Sequence, residues 1–282
     1  MQKIAIVADT STDIPQQLAE ELDIFLASLH VIIQGKDYRD KVDISSTEFY
    51  RLLPQCNPLP KTSGAGVNDF LEAYRGALAK AESVLCLVLS AQISMSLNSA
   101  HIARDMMSDA DITVIDTQTC VASEALIAIA AARAAKEGQS KKEVMALVEA
   151  LIPQVDTLLT MDTLEYLRKG GRLSAPQALI GRILGFRPII RIGDDKITPV
   201  GRARSRRASI ARVLDIMESK VGDREICAAI LHALVPEETE VLRQEVAERF
   251  NCREIHVLDD LGPTAGAHAG PGALGVGYYP VP

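Results

Sequence analysis

The chain reads as an α/β protein of two α/β domains, the first with a mainly parallel sheet, and three observations carry that reading. Through the first half, short apolar runs of strand length alternate with helical patterns, the order of a parallel sheet covered on both faces. The 282 residues suffice for two domains of ordinary size whose cores need no disulfide or structural metal. After Pro153 the character changes to shorter, hairpin-like β stretches. The boundary is therefore placed at 155, with an N-terminal α/β domain over 1–155 and a C-terminal one over 156–282.

Lys3-Ile-Ala-Ile-Val-Ala8 is the first buried strand; it ends in Asp9-Thr10-Ser11-Thr12-Asp13 before Pro15 opens a helix. Residues 27–60 hold three prolines and few periodic apolar positions, which predicts an excursion from the first sheet. Strand-like Val84–Leu89 leads through Ser90-Ala-Gln-Ile-Ser94-Met-Ser96 into a helix. Ile112–Ile115 leads through Asp116-Thr117 into an Ala-rich helix that Gly138 ends, and Ser140-Lys-Lys-Glu143 is a capping box for the next. Asp156–Thr160 reads as a strand and Asp162-Thr-Leu-Glu165 as a capping box with a short helix. β-like stretches at 187–192 and 196–202 flank Gly193-Asp194-Asp195. A helix near 205–219, a strand at 226–231, a helix from Val235-Pro236-Glu237-Glu238 and a strand near 254–258 complete the order before a Gly-rich tail.

Composition removes several function classes. With 37 acidic and 30 basic residues the net charge is −7, against general nucleic-acid binding. The longest apolar run, Ala125–Ala132, is far short of a membrane span, and five apolar residues after Lys3 are too few for a signal-peptide core. Five cysteines, odd in number and without a CxxC pair, read as reduced thiols of a cytosolic protein with no zinc framework. The charge is nevertheless segregated. The window from Arg168 to Arg212 contains twelve basic residues, Arg182 among them, against only Asp194 and Asp195, a local net of +10. Arg202 and Arg204 share a face of the expected strand, and with Arg206 they offer a docking site for a phosphate, an acidic protein or anionic lipid.

Gly270-Pro-Gly272-Ala-Leu-Gly275 spells GxGxxG, yet only seven residues follow, too few for the βαβ unit of a dinucleotide fingerprint. The glycines instead allow a tight turn with His268 held on a rigid loop before it. Thr10-Ser11-Thr12, Thr62-Ser63, Ser94-Met-Ser96 and Thr117-Gln-Thr119 are hydroxyl-rich loops at strand ends or helix starts. Each can cap a helix; converging, they would bind an anion without a buried countercharge. Ser94, His268 and Asp9 or Asp116 could form a hydrolase triad, although no serine sits in a G-x-S-x-G elbow. No histidines pair at metal-ligand spacing.

Several segments match a known pattern in order. Asp9-Thr-Ser-Thr-Asp-Ile-Pro15, Pro60-Lys-Thr62-Ser63, Ser90-Ala-Gln-Ile-Ser94, Leu164-Glu-Tyr-Leu-Arg-Lys-Gly-Gly-Arg172-Leu-Ser174 and Ala267-His268-Ala-Gly-Pro-Gly-Ala-Leu-Gly275 together resemble the DegV family of fatty-acid-binding proteins. The resemblance implies two α/β domains enclosing one long-chain fatty acid in an interdomain apolar tunnel, with no cofactor and no catalytic chemistry of its own. It also implies a carrier that presents the carboxylate to the ATP-using subunit of a fatty acid kinase, for acyl phosphate and phospholipid synthesis. The family's carboxylate-binding Thr and Ser match Thr62 and Ser94, with Ser63 and Ser96 beside them; its network histidine matches His268 and its head-group arginine Arg172. Arg202, Arg204 and Arg206 would then face the kinase or, transiently, an anionic membrane surface. Met95 stands where the family has glycine, which predicts a narrowed site or a re-aimed Ser94. An esterase using Ser94 and His268, and a nucleotide or phosphosugar binder using the strand-end loops and the arginines, are the competing readings.

Overall fold

The computed structural model describes residues 2–174 and 185–281, so Arg182 lies outside the described residues. The N-terminal half runs β1 (Gln2–Asp9), α1 (Gln16–Glu21), β2 (Ile24–Ala27), β3 (His30–Ile33), β4 (Lys36–Arg39), α2 (Ser46–Leu52), β5 (Lys61–Ser63), α3 (Val67–Leu78) and β6 (Ala81–Val88). It continues with α4 (Ser96–Asp105), β7 (Asp111–Asp116), α5 (Val121–Lys136) and α6 (Lys141–Leu151). Four of these strands form a wholly parallel sheet in the order β2-β1-β6-β7. Its apolar strands are covered on both faces, as their sequences require. The 27–60 excursion supplies β3 and β4, joined through Gln34 and Gly35, both at positive φ, the two-residue turn that matches strand twist. With β5 they make a small antiparallel sheet ordered β4-β3-β5.

The second half runs β8 (Asp156–Thr160), α7 (Glu165–Lys169), β9 (Arg187–Gly193), β10 (Lys196–Ala203), α8 (Arg206–Val221), β11 (Ile226–His232), α9 (Pro236–Arg249), β12 (Cys252–Asp260), α10 (Pro263–Ala269) and β13 (Leu274–Pro280). Its six-stranded sheet is ordered β10-β9-β8-β13-β11-β12, antiparallel except for the β11–β12 pair. Between the two sheets lies α5, which packs on β1 on one side and on β11 and β13 on the other. Thirteen of its sixteen residues are buried, which explains a helix that is apolar all round. Its alanines permit close approach: a Cβ on Gly277 would stand 2.6 Å from that of Ala122.

Two sequence expectations give way here. The tail is no mere turn: it supplies α10, which puts His268 in a helix's last turn, and β13 at the centre of the second sheet. Strand β13 needs its glycines because side chains at Gly275 and Gly277 would run into β8 and α5, and that spacing reads locally as a turn. Asp162 is likewise not a cap. Leu164 precedes α7, Thr163 Oγ1 accepts from the Glu165 amide at 3.1 Å, and Asp162 instead pairs with Arg187.

Candidate functional site

Between the sheets runs a cavity with about 740 Å3 of empty space, part of it continuous with solvent. Its walls are apolar, built from Leu29 and Leu89 on the N-terminal side and from Leu159, Met161, Ile190 and Leu231 on the other. Its polar lining is Thr62, Ser63, Ser94, Arg172 and His268, with Ser11 and Thr264 in addition. Thr62, Arg172 and His268 also line an outer depression with Lys61 and Lys169, so this region is the mouth.

Each polar group is fixed by its element. Thr62 is the middle residue of β5, opposite Val31. His268 Nε2 stands 2.8 Å from Thr62 Oγ1, while Nδ1 has no hydrogen-bond partner among the described residues and packs against Gly170. Burial first, and then the charge of Arg172, lowers the His268 pKa to about 4, so the ring is neutral at neutral pH. An unpartnered N–H costs more than a bare lone pair. The proton therefore sits on Nε2 and is donated to Thr62, which leaves the Thr62 hydroxyl proton to be donated elsewhere.

Ser94 is prepared in the same way. Its Oγ accepts from the Ser96 amide at 3.2 Å and lies 3.0 Å from Ser96 Oγ, which itself accepts from the Ala65 amide at 3.0 Å. With Ser96 donating to Ser94, the Ser94 proton is also available. Two neutral donors at the mouth of an apolar cavity suit one carboxylate, and Arg172 adds positive charge. Its guanidinium is held by the Gly170 carbonyl at 2.7 Å and the Ile93 carbonyl at 3.2 Å.

The structure thus brings Thr62, Ser63, Ser94, Arg172 and His268 onto one cavity, with Ser63 exposed and bonded to the Gly64 carbonyl. Ser96 does not line it: fully buried, it supports Ser94 from behind. Met95 is 68% exposed and is not part of the cavity lining. The strand-end hydroxyls are mostly spent inside the fold: Thr10 accepts from the Leu29 amide, Thr12 donates to the Asp9 carbonyl and Thr117 to that of Val88.

A triad is not assembled either. Asp9 accepts from the amides of Ser11 and Leu89, and Asp116 from those of Ala91 and Gln118, while His268 faces Thr62. No helix among the described residues is long and apolar enough to cross a membrane, and none of their His, Cys, Asp and Glu side chains cluster as metal ligands.

The basic segment is less free than its count implies. Arg187 pairs with Asp162, and Arg191 with Asp156 and Asp194. Arg206 does not join Arg202 and Arg204 on an outer face: it is half-buried against Glu238 at 2.7 Å and the Gly272 carbonyl at 2.8 Å. Arg202 and Arg204 are exposed and stack over the Phe186 ring.

Several contributors are not among the residues that the sequence singles out for the site. Gly64 touches both serines, and a Cβ there would stand 2.7 Å from each hydroxyl oxygen. Gly170 makes room for His268 in the same way. Lys41 sits buried among Asp13, Asp40 and Asp259, where α10 begins: Gly262 N donates to Asp13 at 2.9 Å and Thr264 N to Asp40 at 3.2 Å. Burial dominates both carboxyls, raising Asp13 to about 7 and Asp40 to about 6 against the pull of Lys41.

Comparison with known proteins agrees with this architecture. The family described as "Uncharacterised protein, DegV family" matches residues 3–281. A DegV domain-containing protein of Caldanaerobacter subterraneus is 34% identical over 98% of both chains. Among solved structures, a DegV family protein of Thermus thermophilus, described by its fatty acid binding, superposes with a TM-score of 0.92 at 31% identity over all of both chains. A stearic acid-binding protein of Eubacterium ventriosum superposes with a TM-score of 0.86 at 27% identity, covering 99% of this chain and 98% of that one. Over essentially its whole length, and with the fold those relatives share, this chain belongs to the DegV family.

Proposed function

We propose that this protein binds one long-chain fatty acid between an N-terminal domain (1–155) and a C-terminal domain (156–282). The carboxylate accepts from Thr62 and Ser94 beside neutral His268 and Arg172, and the chain lies along the apolar walls, where each buried CH₂ contributes about 0.8 kcal/mol. One observation carries the reading: the Thr62 and Ser94 hydroxyls line the same apolar cavity, Thr62 against His268 Nε2 at 2.8 Å and Ser94 accepting from the Ser96 amide at 3.2 Å, an arrangement in which both hydroxyls can donate to one carboxylate. Relatives described as binding fatty acids support it. In the finer reading the protein is a cytoplasmic carrier without catalytic chemistry that presents the head group to a kinase subunit for acyl phosphate formation. The lone His268–Thr62 contact favours a carrier over a hydrolase, and exposed Arg202 and Arg204 suit an acidic partner or, transiently, an anionic membrane surface.

Thr62→Ala combined with Ser94→Ala tests the site. Losing two hydrogen bonds to a charged group, each worth about 1.5–3 kcal/mol, should weaken stearate binding by about 100-fold or more. Unchanged affinity would refute the assignment.

A further inference from the structure

The strand carrying Thr62 is clamped from behind by a histidine that takes no part in the cavity. In the β3–β5 pairing His30 lies opposite Ser63 and Val31 opposite Thr62. Side-chain alternation then puts Thr62 toward α10 and His268, and His30 on the other face of the small sheet. There the His30 ring, 19% exposed, is held between two acids. Its Nδ1 is 3.0 Å from Asp37 Oδ2 and its Nε2 is 3.0 Å from Asp69 Oδ2. A neutral imidazole has one donor and one acceptor, so only the doubly protonated ring satisfies a carboxylate at each nitrogen.

Asp69 Oδ2 also accepts from the Gly66 amide at 2.8 Å, closing the first turn of α3. Between those anchors runs Ser63-Gly64-Ala65-Gly66, whose Gly64 packs on Ser94 and Ser96 and whose Ala65 amide donates to Ser96. The imidazolium thus ties the β-sheet end of this loop to its helical end, across the loop that shapes the carboxylate pocket.

We propose that His30 is a positioning residue that couples one proton to head-group binding: charged, it fixes the 63–66 loop against Ser94 and Ser96; neutral, it releases it. The inference rests on the fatty-acid reading for its ligand. The charged groups around the ring are Asp37 and Arg39 on β4, Asp43 (bound to Arg39), Asp69 and Glu72 on α3, and Lys61 on β5, with His268 across the sheet on α10. Burial opposes the ring's charge, but the hydrogen bond and charge of Asp69, followed by Asp37, outweigh it and hold His30 above the ordinary imidazole range. A base so raised contributes fully below its unfolded pKa of about 6.5 and loses that contribution as pH rises through the folded value. Affinity should therefore fall on the alkaline side. His268 titrates far below this window.

Stearate affinity is measured from about pH 6 to about pH 9 for the wild type, His30→Gln and His30→Lys. If head-group binding raises the His30 pKa by one unit, wild-type affinity falls about tenfold across the window. His30→Gln should bind weakly with no slope, and His30→Lys, cationic throughout, should bind well with no slope. A flat wild-type profile, or a slope that survives in His30→Gln, would overturn the proposal. Amide exchange at Gly64, Ala65 and Gly66 in ligand-free protein, corrected for the intrinsic pH dependence, supplies a second readout. It should quicken in His30→Gln and be restored in His30→Lys; exchange that ignores both substitutions would also overturn it. If stearate binds the wild type at no pH, the fatty-acid reading fails, and exchange alone decides the role of His30.

Discussion

Gly64→Ala is the smallest change that should disable the carboxylate pocket. A Cβ on Gly64 would stand 2.7 Å from both Ser94 Oγ and Ser96 Oγ and 2.9 Å from the Ser96 amide nitrogen. That is about 0.7 Å inside ordinary van der Waals contact on two sides. Ser96 has little room to give, being fully buried at the first turn of α4 and bonded to the Ala65 amide. Ser94 must therefore move, or the 63–66 loop must lift. Overpacking of this kind costs about 1–3 kcal/mol of stability. Displacing Ser94 removes one charge-assisted hydrogen bond, so stearate affinity should fall about 10- to 100-fold. Calorimetric titration beside thermal melting reads both effects. Gly76→Ala on α3, whose Cβ would meet only the Phe25 ring at 3.1 Å, is the control for strain placed away from the mouth. Gly64→Ala binding stearate within twofold of the wild type would refute the proposed packing of the head-group site.

His268, held near pH 4 by burial, should contribute stability that is full above about pH 6.5 and is lost as pH falls. His268→Gln should abolish about 3 kcal/mol of that acid-side loss in denaturant melts, and an unchanged acid limb would contradict its neutral, buried state. Lys41→Met leaves Asp13 and Asp40 without their cation; near pH 8 it should cost about 3–5 kcal/mol. Both acids have raised folded pKa values, so they are protonated near pH 5 and the cost should shrink there; a pH-independent cost would argue against charge as its origin. Arg206→Ala should lower stability non-additively with Glu238→Ala, whereas exposed Arg204→Ala should stay within about 0.5 kcal/mol. Additive effects would break the assigned ion pair.

Much of the fold was legible because central strands such as β1, β6 and β11 are apolar runs and several helix starts carry signals: the Ser140 box and the Pro236 start lie where the sequence puts them. What escaped local reading was set by partners distant in the chain. Strand β13 looks like a Gly-rich tail until β8 and α5 are seen on either side of it. Arg206 looks like part of an outward basic run until Glu238 and the Gly272 carbonyl take its guanidinium. Thr62, Ser94 and His268 could be singled out as residue types, but not the direction of their hydrogen bonds. That direction depends on the Ser96 amide behind Ser94 and on the absence of a partner for His268 Nδ1 among the described residues. Met95 shows the converse: it sits beside Ser94 in sequence, yet its side chain is 68% exposed and does not line the cavity.

Native mass spectrometry of the purified protein, followed by extraction and identification of its lipid, asks whether the cavity holds a fatty acid. One long-chain fatty acid per chain should be found, retained by the wild type and lost from the Thr62→Ala, Ser94→Ala double variant. A folded wild-type protein that emerges empty, and that cannot be loaded with myristate, palmitate, stearate or oleate, would contradict the fatty-acid reading.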